Sequence, residues 1–135
     1  MAKHKDMPIV FQHQVALTRE QGLKQAEDLL VAHPDVRVIY AGNDELALGA
    51  AQAVAAANKK SGILITGLNG IPPALAAVTK GDIDLTIVLS PMVWGRMGMD
   101  VMDGWLKGDR PKDQVFIKHI LATRENAASH MPPKK

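Results

Sequence analysis

Short apolar runs of strand length alternate along this chain with longer stretches of helical period. Ile9-Val10-Phe11-Gln12 reads as a first strand. Thr18 to His33 reads as a helix, because Leu23, Ala26, Leu29, Leu30 and Ala32 recur at the spacing of one helical face. Thr18-Arg19-Glu20-Gln21 fits a capping box at its start, and Pro34 ends it. Val36 to Ala41 is a second strand. Gly42-Asn43-Asp44-Glu45 turns it into a helix from about Leu46 to Ala57, with Asn43 or Asp44 as the N-cap. Ile63 to Thr66 is a third strand, and Gly67-Leu68-Asn69-Gly70 a turn. Pro72-Pro73 opens a short helix that stops near Lys80-Gly81, and Leu85 to Leu89 is a fourth strand. Ser90-Pro91 is a cap followed by proline, and that helix runs to about Lys107-Gly108. Val115 to Ile120 is a last strand, and the chain beyond Thr123 reads as a frayed tail.

This order predicts an α/β fold: a three-layer, open, mainly parallel sheet of about five strands and four helices, with helices on both faces. No internal repeat or long linker interrupts it.

Composition narrows the function classes. The 135 residues hold one domain with a real core, at 47% hydrophobic and 22% charged positions. The net charge is only +2, and Lys3, Lys5, Lys134 and Lys135 sit at the ends, so no basic nucleic-acid surface is expected. No cysteine is present, which excludes disulfides, thiolate nucleophiles and cysteine metal sites. No apolar run approaches the ~20 residues of a membrane span. The basic start lacks a following apolar h-region, so the chain as it stands predicts no signal peptide.

In an open parallel sheet, ligands bind beyond the carboxyl ends of the strands. Four loops qualify: Gln12-His13-Gln14, Gly42-Asn43-Asp44, Gly67-Leu68-Asn69-Gly70 and Leu89-Ser90. Uncharged amides offer donors and acceptors together, which suits hydroxyl-rich ligands. No nucleophile has a base beside it, so no enzyme is expected. Two readings stand open at each position. Asn43 and Asp44 also fit a plain helix cap, Asn69-Gly70 a turn needing positive φ, and His13 a surface histidine. His4, His13, His33, His119 and His130 lack metal-ligand spacing, and the Gly67 turn lacks a phosphate-binding glycine pattern, so neither metal nor cofactor is expected.

The stretch from His33-Pro34-Asp35 through Ala41-Gly42-Asn43-Asp44-Glu45 to Ala47-Leu48-Gly49-Ala50 resembles the ribose-binding proteins and related type I periplasmic binding proteins. So do Gly67-Leu68-Asn69-Gly70 with its following proline, Lys80 to Ile87, and Trp105-Leu106-Lys107-Gly108. The resemblance covers about Pro8 to Leu121. It implies a flavodoxin-like half of a two-lobed protein that closes on a sugar. Ligand contacts then fall on Asn43, on Asn69 where many members carry an aspartate, on Leu89 where a glutamine stands, and near Leu17 where an aromatic stacks. With His13 and Asp44 these form the candidate ligand-binding set.

The resemblance further implies residues 1–7 as a flexible tail, 8–121 as one ligand-binding lobe and 122–135 as a C-terminal tail. It places helix 91–107 in the opposite, N-terminal lobe. Val93, Trp94, Met97, Val101, Met102, Trp105 and Leu106 give that helix an apolar face. That face either covers this chain's own sheet or packs on the missing lobe or a second copy. The implied function is the non-catalytic sugar- or polyol-binding module of an ABC uptake system, truncated to most of the C-terminal lobe. Its location is periplasmic or extracellular by family, and cytoplasmic if expressed as it stands. An effector domain of a LacI-type regulator and an oligomeric interaction protein without ligand are the alternatives.

Overall fold

A computed structural model describes residues 7–110 and 115–132; the outermost residues of both expected tails lie outside them. In chain order the elements are α1 (Arg19–Ala32), β1 (Val38–Tyr40), α2 (Asp44–Ala56), α3 (Pro72–Lys80) after β2 (Leu64–Asn69), β3 (Leu85–Val88), α4 (Pro91–Leu106) and β4 (Ile120–Thr123). Short 3₁₀ turns cover Lys60–Gly62 and Ala127–His130.

The helix starts follow the local chemistry. The Thr18 hydroxyl accepts the Gln21 amide at 3.3 Å, but the reciprocal half of a capping box is not made, because the Thr18 amide donates to the Ala16 carbonyl. The Asn43 carboxamide oxygen accepts the Leu46 amide at 2.9 Å. Pro72 and Pro73 open α3, and Gly81 ends it at φ 89°, a left-handed conformation that glycine adopts without strain. The Ser90 hydroxyl caps α4, with Pro91 in the first helical position.

The strands lie in the order β1-β2-β3-β4. β1 with β2 and β2 with β3 are parallel, joined by α2 and α3 as crossovers, whereas β4 runs antiparallel to β3. The α/β class and the open, mainly parallel sheet are therefore as expected. Several details differ. Ile9-Val10-Phe11-Gln12 forms no strand: it makes no ladder pairing, and β1 stays the edge of the sheet. The described residues thus hold four strands. β2 continues through Asn69, so Gly67 and Leu68 belong to the strand and only Asn69-Gly70 turns. The last strand is Ile120–Thr123, not 115–120, because its alternation puts the small Ala122 on the packed face beside Thr86. The chain beyond Thr123 does not fray up to residue 132: the Asn126 side chain bonds the Thr123 amide and the Leu121 carbonyl, and Ala127 is buried against the core.

Small side chains decide how close the layers come. α2 turns Ala47, Ala50, Ala53 and Val54 into the core with Ile65, Leu75, Val78 and Ile83. Glycines let α1 lie almost backbone to backbone on α2: a Cβ at Gly22 would fall on the Leu46 carbonyl, and one at Gly49 on the Arg19 carbonyl. The opposite face of the sheet has no such cover. Val38, Tyr40, Leu64 and Leu121 are exposed there, Tyr40 by 74%. Parallel sheets ordinarily carry helices on both faces, and the described residues form that layer on one face. α4 does not supply the second, because no residue of it is buried.

Two glycine substitutions separate these environments. Gly49→Ala should lower the unfolding free energy by about 1–3 kcal/mol through overpacking. Gly98→Ala, with nothing within 4 Å of the new methyl, should raise it by up to about 1 kcal/mol through helix propensity. Urea denaturation of both variants reads the two signs.

Candidate functional site

The carboxyl ends of the parallel strands converge on three connections: Ala41 to Asn43, Asn69-Gly70, and Leu89-Ser90. Hydrogen bonds stitch these connections together. The Leu89 amide donates to the Asn69 carbonyl at 3.0 Å. The Asn43 Nδ2 donates to the Leu17 carbonyl at 3.2 Å, which brings the segment before α1 to the same edge. Arg19 Nε meets Glu45 Oε2 at 3.0 Å and holds the first turns of α1 and α2 side by side. Leu17, Asn43, Asn69 and Leu89 therefore share one end of the sheet.

Asn43 is both cap and latch. Its oxygen takes the Leu46 amide and its nitrogen serves Leu17. One Nδ2 hydrogen and one Oδ1 lone pair remain for a ligand. Asn69 sits half-buried at φ 124°, followed by Gly70 at φ 73°. A Cβ at Gly70 would press on Val88 at 2.8 Å, so glycine is required there by space as well as by conformation. Leu17 is exposed and Leu89 half-buried; both offer aliphatic surface only.

Asp44 and His13 stand elsewhere. Asp44 is 1% exposed, and its carboxylate points into the core. Oδ1 accepts the Thr86 hydroxyl at 2.6 Å and Oδ2 accepts the Ile71 amide at 2.8 Å. Its place in the first turn of α2 favours the negative charge, since the amide dipoles of that end point toward it. His13 stacks on Phe11 with ring centroids 4.2 Å apart, and its Nδ1 pairs with Gln25 Oε1 at 2.6 Å. Gln25 lies about 9 Å along α1 from Arg19 at the helical rise, so His13 is directed away from the strand ends.

Thr86 was not singled out by sequence and Gly67 was read only as part of a turn, yet both shape this edge. Thr86 is a fully buried hydroxyl in the apolar run of β3, and that polar interruption was the available signal. Among the described residues no group of three or more histidine, aspartate or glutamate side chains could hold a metal. Concave regions of about 430 Å³ and about 250 Å³ lie elsewhere: one beside Pro34, Arg37, Lys59 and Gly62 at the far end of the sheet, one beside Asp100 and Gly104 of α4. In the larger one the Lys59 ammonium is bonded to the Pro34 carbonyl and Arg37 to the Gly62 carbonyl. The strand-end edge thus offers two part-exposed neutral amides, suited to hydroxyl groups that both donate and accept, while the charges of Arg19 and Glu45 on the adjoining helix turns are paired with each other.

The chain matches the model of a periplasmic binding protein domain over residues 1–110. It is similar to the ribose import binding protein of Haemophilus influenzae, 41% identical over 99 residues, which are 73% of this chain and 33% of that protein. It is also similar to the D-allose-binding periplasmic protein of Escherichia coli, 33% identical over 78% of this chain and 36% of that one. The chain spans about a third of the length of these curated relatives. Among solved structures, a ribose ABC transporter protein from Conexibacter woesei superposes with a TM-score of 0.81 at 32% identity, over 87% of this chain and 40% of the other. A solute-binding protein from Actinobacillus succinogenes with bound D-allose gives 0.82 at 25% identity, over 95% and 46%. No helix among the described residues is long and apolar enough to cross a membrane.

Asn43→Ala should lower the unfolding free energy by about 1–2 kcal/mol, the cost of a lost cap. Asn43→Asp, which keeps the accepting oxygen, should cost less than half as much. Equilibrium urea unfolding of the two variants checks the ordering.

Proposed function

This chain belongs to the type I periplasmic sugar-binding family, and we propose that it is the greater part of the C-terminal lobe of such a protein, binding a neutral sugar or polyol for an ABC uptake system without catalysing a reaction. The observation that carries the reading is the placement of Asn43 and Asn69 at adjoining strand ends, with no ionised side chain of the candidate set presented beside them. Amides alone favour uncharged hydroxylated ligands over phosphorylated or carboxylated ones. Ribose and allose are named for the relatives, and D-allose and myo-inositol are bound in similar structures.

The topology supports a second body facing this edge. Because β4 is antiparallel to β3, the chain leaves at Leu89 and returns by His119 at the same end of the sheet. The excursion carries α4, whose Met92, Trp94, Met102 and Leu106 are exposed. A partner above the strand ends, an N-terminal lobe or a second copy, would bury that surface and close the sugar between two walls. Such a protein works outside the cytoplasm, in the periplasm or at the cell surface.

Loss of the acidic contact at position 69 weakens the grip on hydroxyls, since charge-assisted hydrogen bonds are about twice as strong as neutral ones. Titration calorimetry with millimolar D-ribose, D-allose and myo-inositol should give saturable binding to at least one. Asn69→Asp should tighten it about fivefold or more, and Asn69→Gly, which removes the amide without backbone strain, should weaken it by a similar factor. No heat of binding from any of the three, with variants as silent as the parent chain, contradicts the reading.

A further inference from the structure

We propose that Asp44 is the positioning residue of this site: its buried carboxylate, held by Thr86 and given room by Gly67, fixes the backbone of the Asn69-Gly70 turn that presents the sugar-binding amide. The sugar part of this inference rests on the function proposed above; the positioning part does not.

Asp44 touches no ligand position, because both of its oxygens face the core. What they hold is informative. Ile71 is the residue immediately after the turn, and its amide donates to Oδ2. Ile71 is also the cap position of α3, which has no side-chain cap of its own. On the other side of the turn, the Asn69 carbonyl accepts the Leu89 amide from the end of β3. Asn69 and Gly70 are thus clamped from both flanks, one clamp being the Asp44 carboxylate. They need the clamp: Asn69 is held at φ 124°, where a side chain is disfavoured. Such conformations persist when the surroundings over-determine them.

The carboxylate is itself aimed by two further residues. Thr86 Oγ1 donates to Oδ1 at 2.6 Å within a fully buried contact. Gly67 leaves the space the carboxylate occupies, since a Cβ there would fall on Oδ1. Gly67 has no positive φ, so the glycine answers a need for room and not for conformation. α2, β2, β3 and the turn before α3 therefore meet at one anion, and the Asn69 side chain takes its direction from that junction.

Thr86→Val, which removes the hydroxyl at nearly constant volume, and Thr86→Ser, which keeps it, separate positioning from packing. Both are read in the full chain by hydrogen exchange of the Ile71 amide, by the amide shifts of Asn69 and Gly70, and by D-allose and D-ribose titration. Thr86→Val should speed Ile71 exchange tenfold or more, move the turn resonances and weaken sugar binding at least fivefold, while core amides such as Val54 keep their protection. Thr86→Ser should restore all three. A Thr86→Val chain with unchanged Ile71 exchange and turn shifts overturns the proposal. If the parent chain binds none of D-ribose, D-allose and myo-inositol, the functional reading fails, and the Ile71 comparison still decides the positioning claim. A double-mutant cycle gives a second route: Gly67→Ala should perturb Ile71 exchange far less in an Asp44→Ala background than in the parent chain. Equal effects in both backgrounds overturn the proposal.

Discussion

Asp44 stands in the first turn of α2 with both carboxylate oxygens turned from water, one accepting the Thr86 hydroxyl and the other the Ile71 amide. A carboxylate buried without partners would cost several kcal/mol. Here two directed donors and the amino end of a helix supply what water would. Removing either donor leaves a charged acceptor short of partners in a dry place, so the strands and the helix must keep their register for the anion to remain satisfied. The same requirement fixes the turn after β2. Fold stability and site geometry therefore share one interaction.

A second constraint runs through the sheet. α1 stacks on α2 through glycines, and α2 and α3 cover one sheet face with alanines and branched aliphatic residues. The apolar residues of the other face and of α4 remain open. Burial of a large side chain contributes about 1.5–3 kcal/mol, and exposed apolar areas of this extent mark contact surfaces. The antiparallel return of β4 places α4 on the far side of the strand ends from the core. The apolar surface and the amide edge lie at the same end of the sheet, as the proposed function, with a ligand held between this lobe and a second body, requires.

The helices and the parallel crossovers were legible in the sequence because their signals are local. Pro72-Pro73, Gly81 and Ser90-Pro91 mark ends by chemistry that needs no tertiary partner, and the structure starts and stops α3 and α4 there. The first and last strands were not, because a strand is defined by its neighbour. Ile9 to Gln12 has the composition of a strand but does not pair with the open edge of β1, while Ile120 to Thr123 pairs with β3, where Ala122 fits beside Thr86. At the candidate site, the segment Gly42-Asn43-Asp44 was read as one strand-end loop, without a division of labour between its residues. Asn43 lies at the strand-end edge and Asp44 faces the core, a distinction of one residue around a helix start that is set by where Thr86 and Ile71 arrive. His13 was read onto the edge from its place after an apolar run; its stack on Phe11 and bond to Gln25 take it to the side of α1.

The central claim is that neutral hydroxylated ligands meet this chain at the strand ends beside Asn43 and Asn69. An amide-detected NMR titration with D-allose or D-ribose tests it most directly. Binding there should shift a contiguous set of resonances at residues 41–44, 67–71 and 88–90, with the opposite end of the sheet, residues 34–37 and 58–63, unmoved. Shifts centred on that distant end, or scattered along α4 with the strand ends silent, would contradict it.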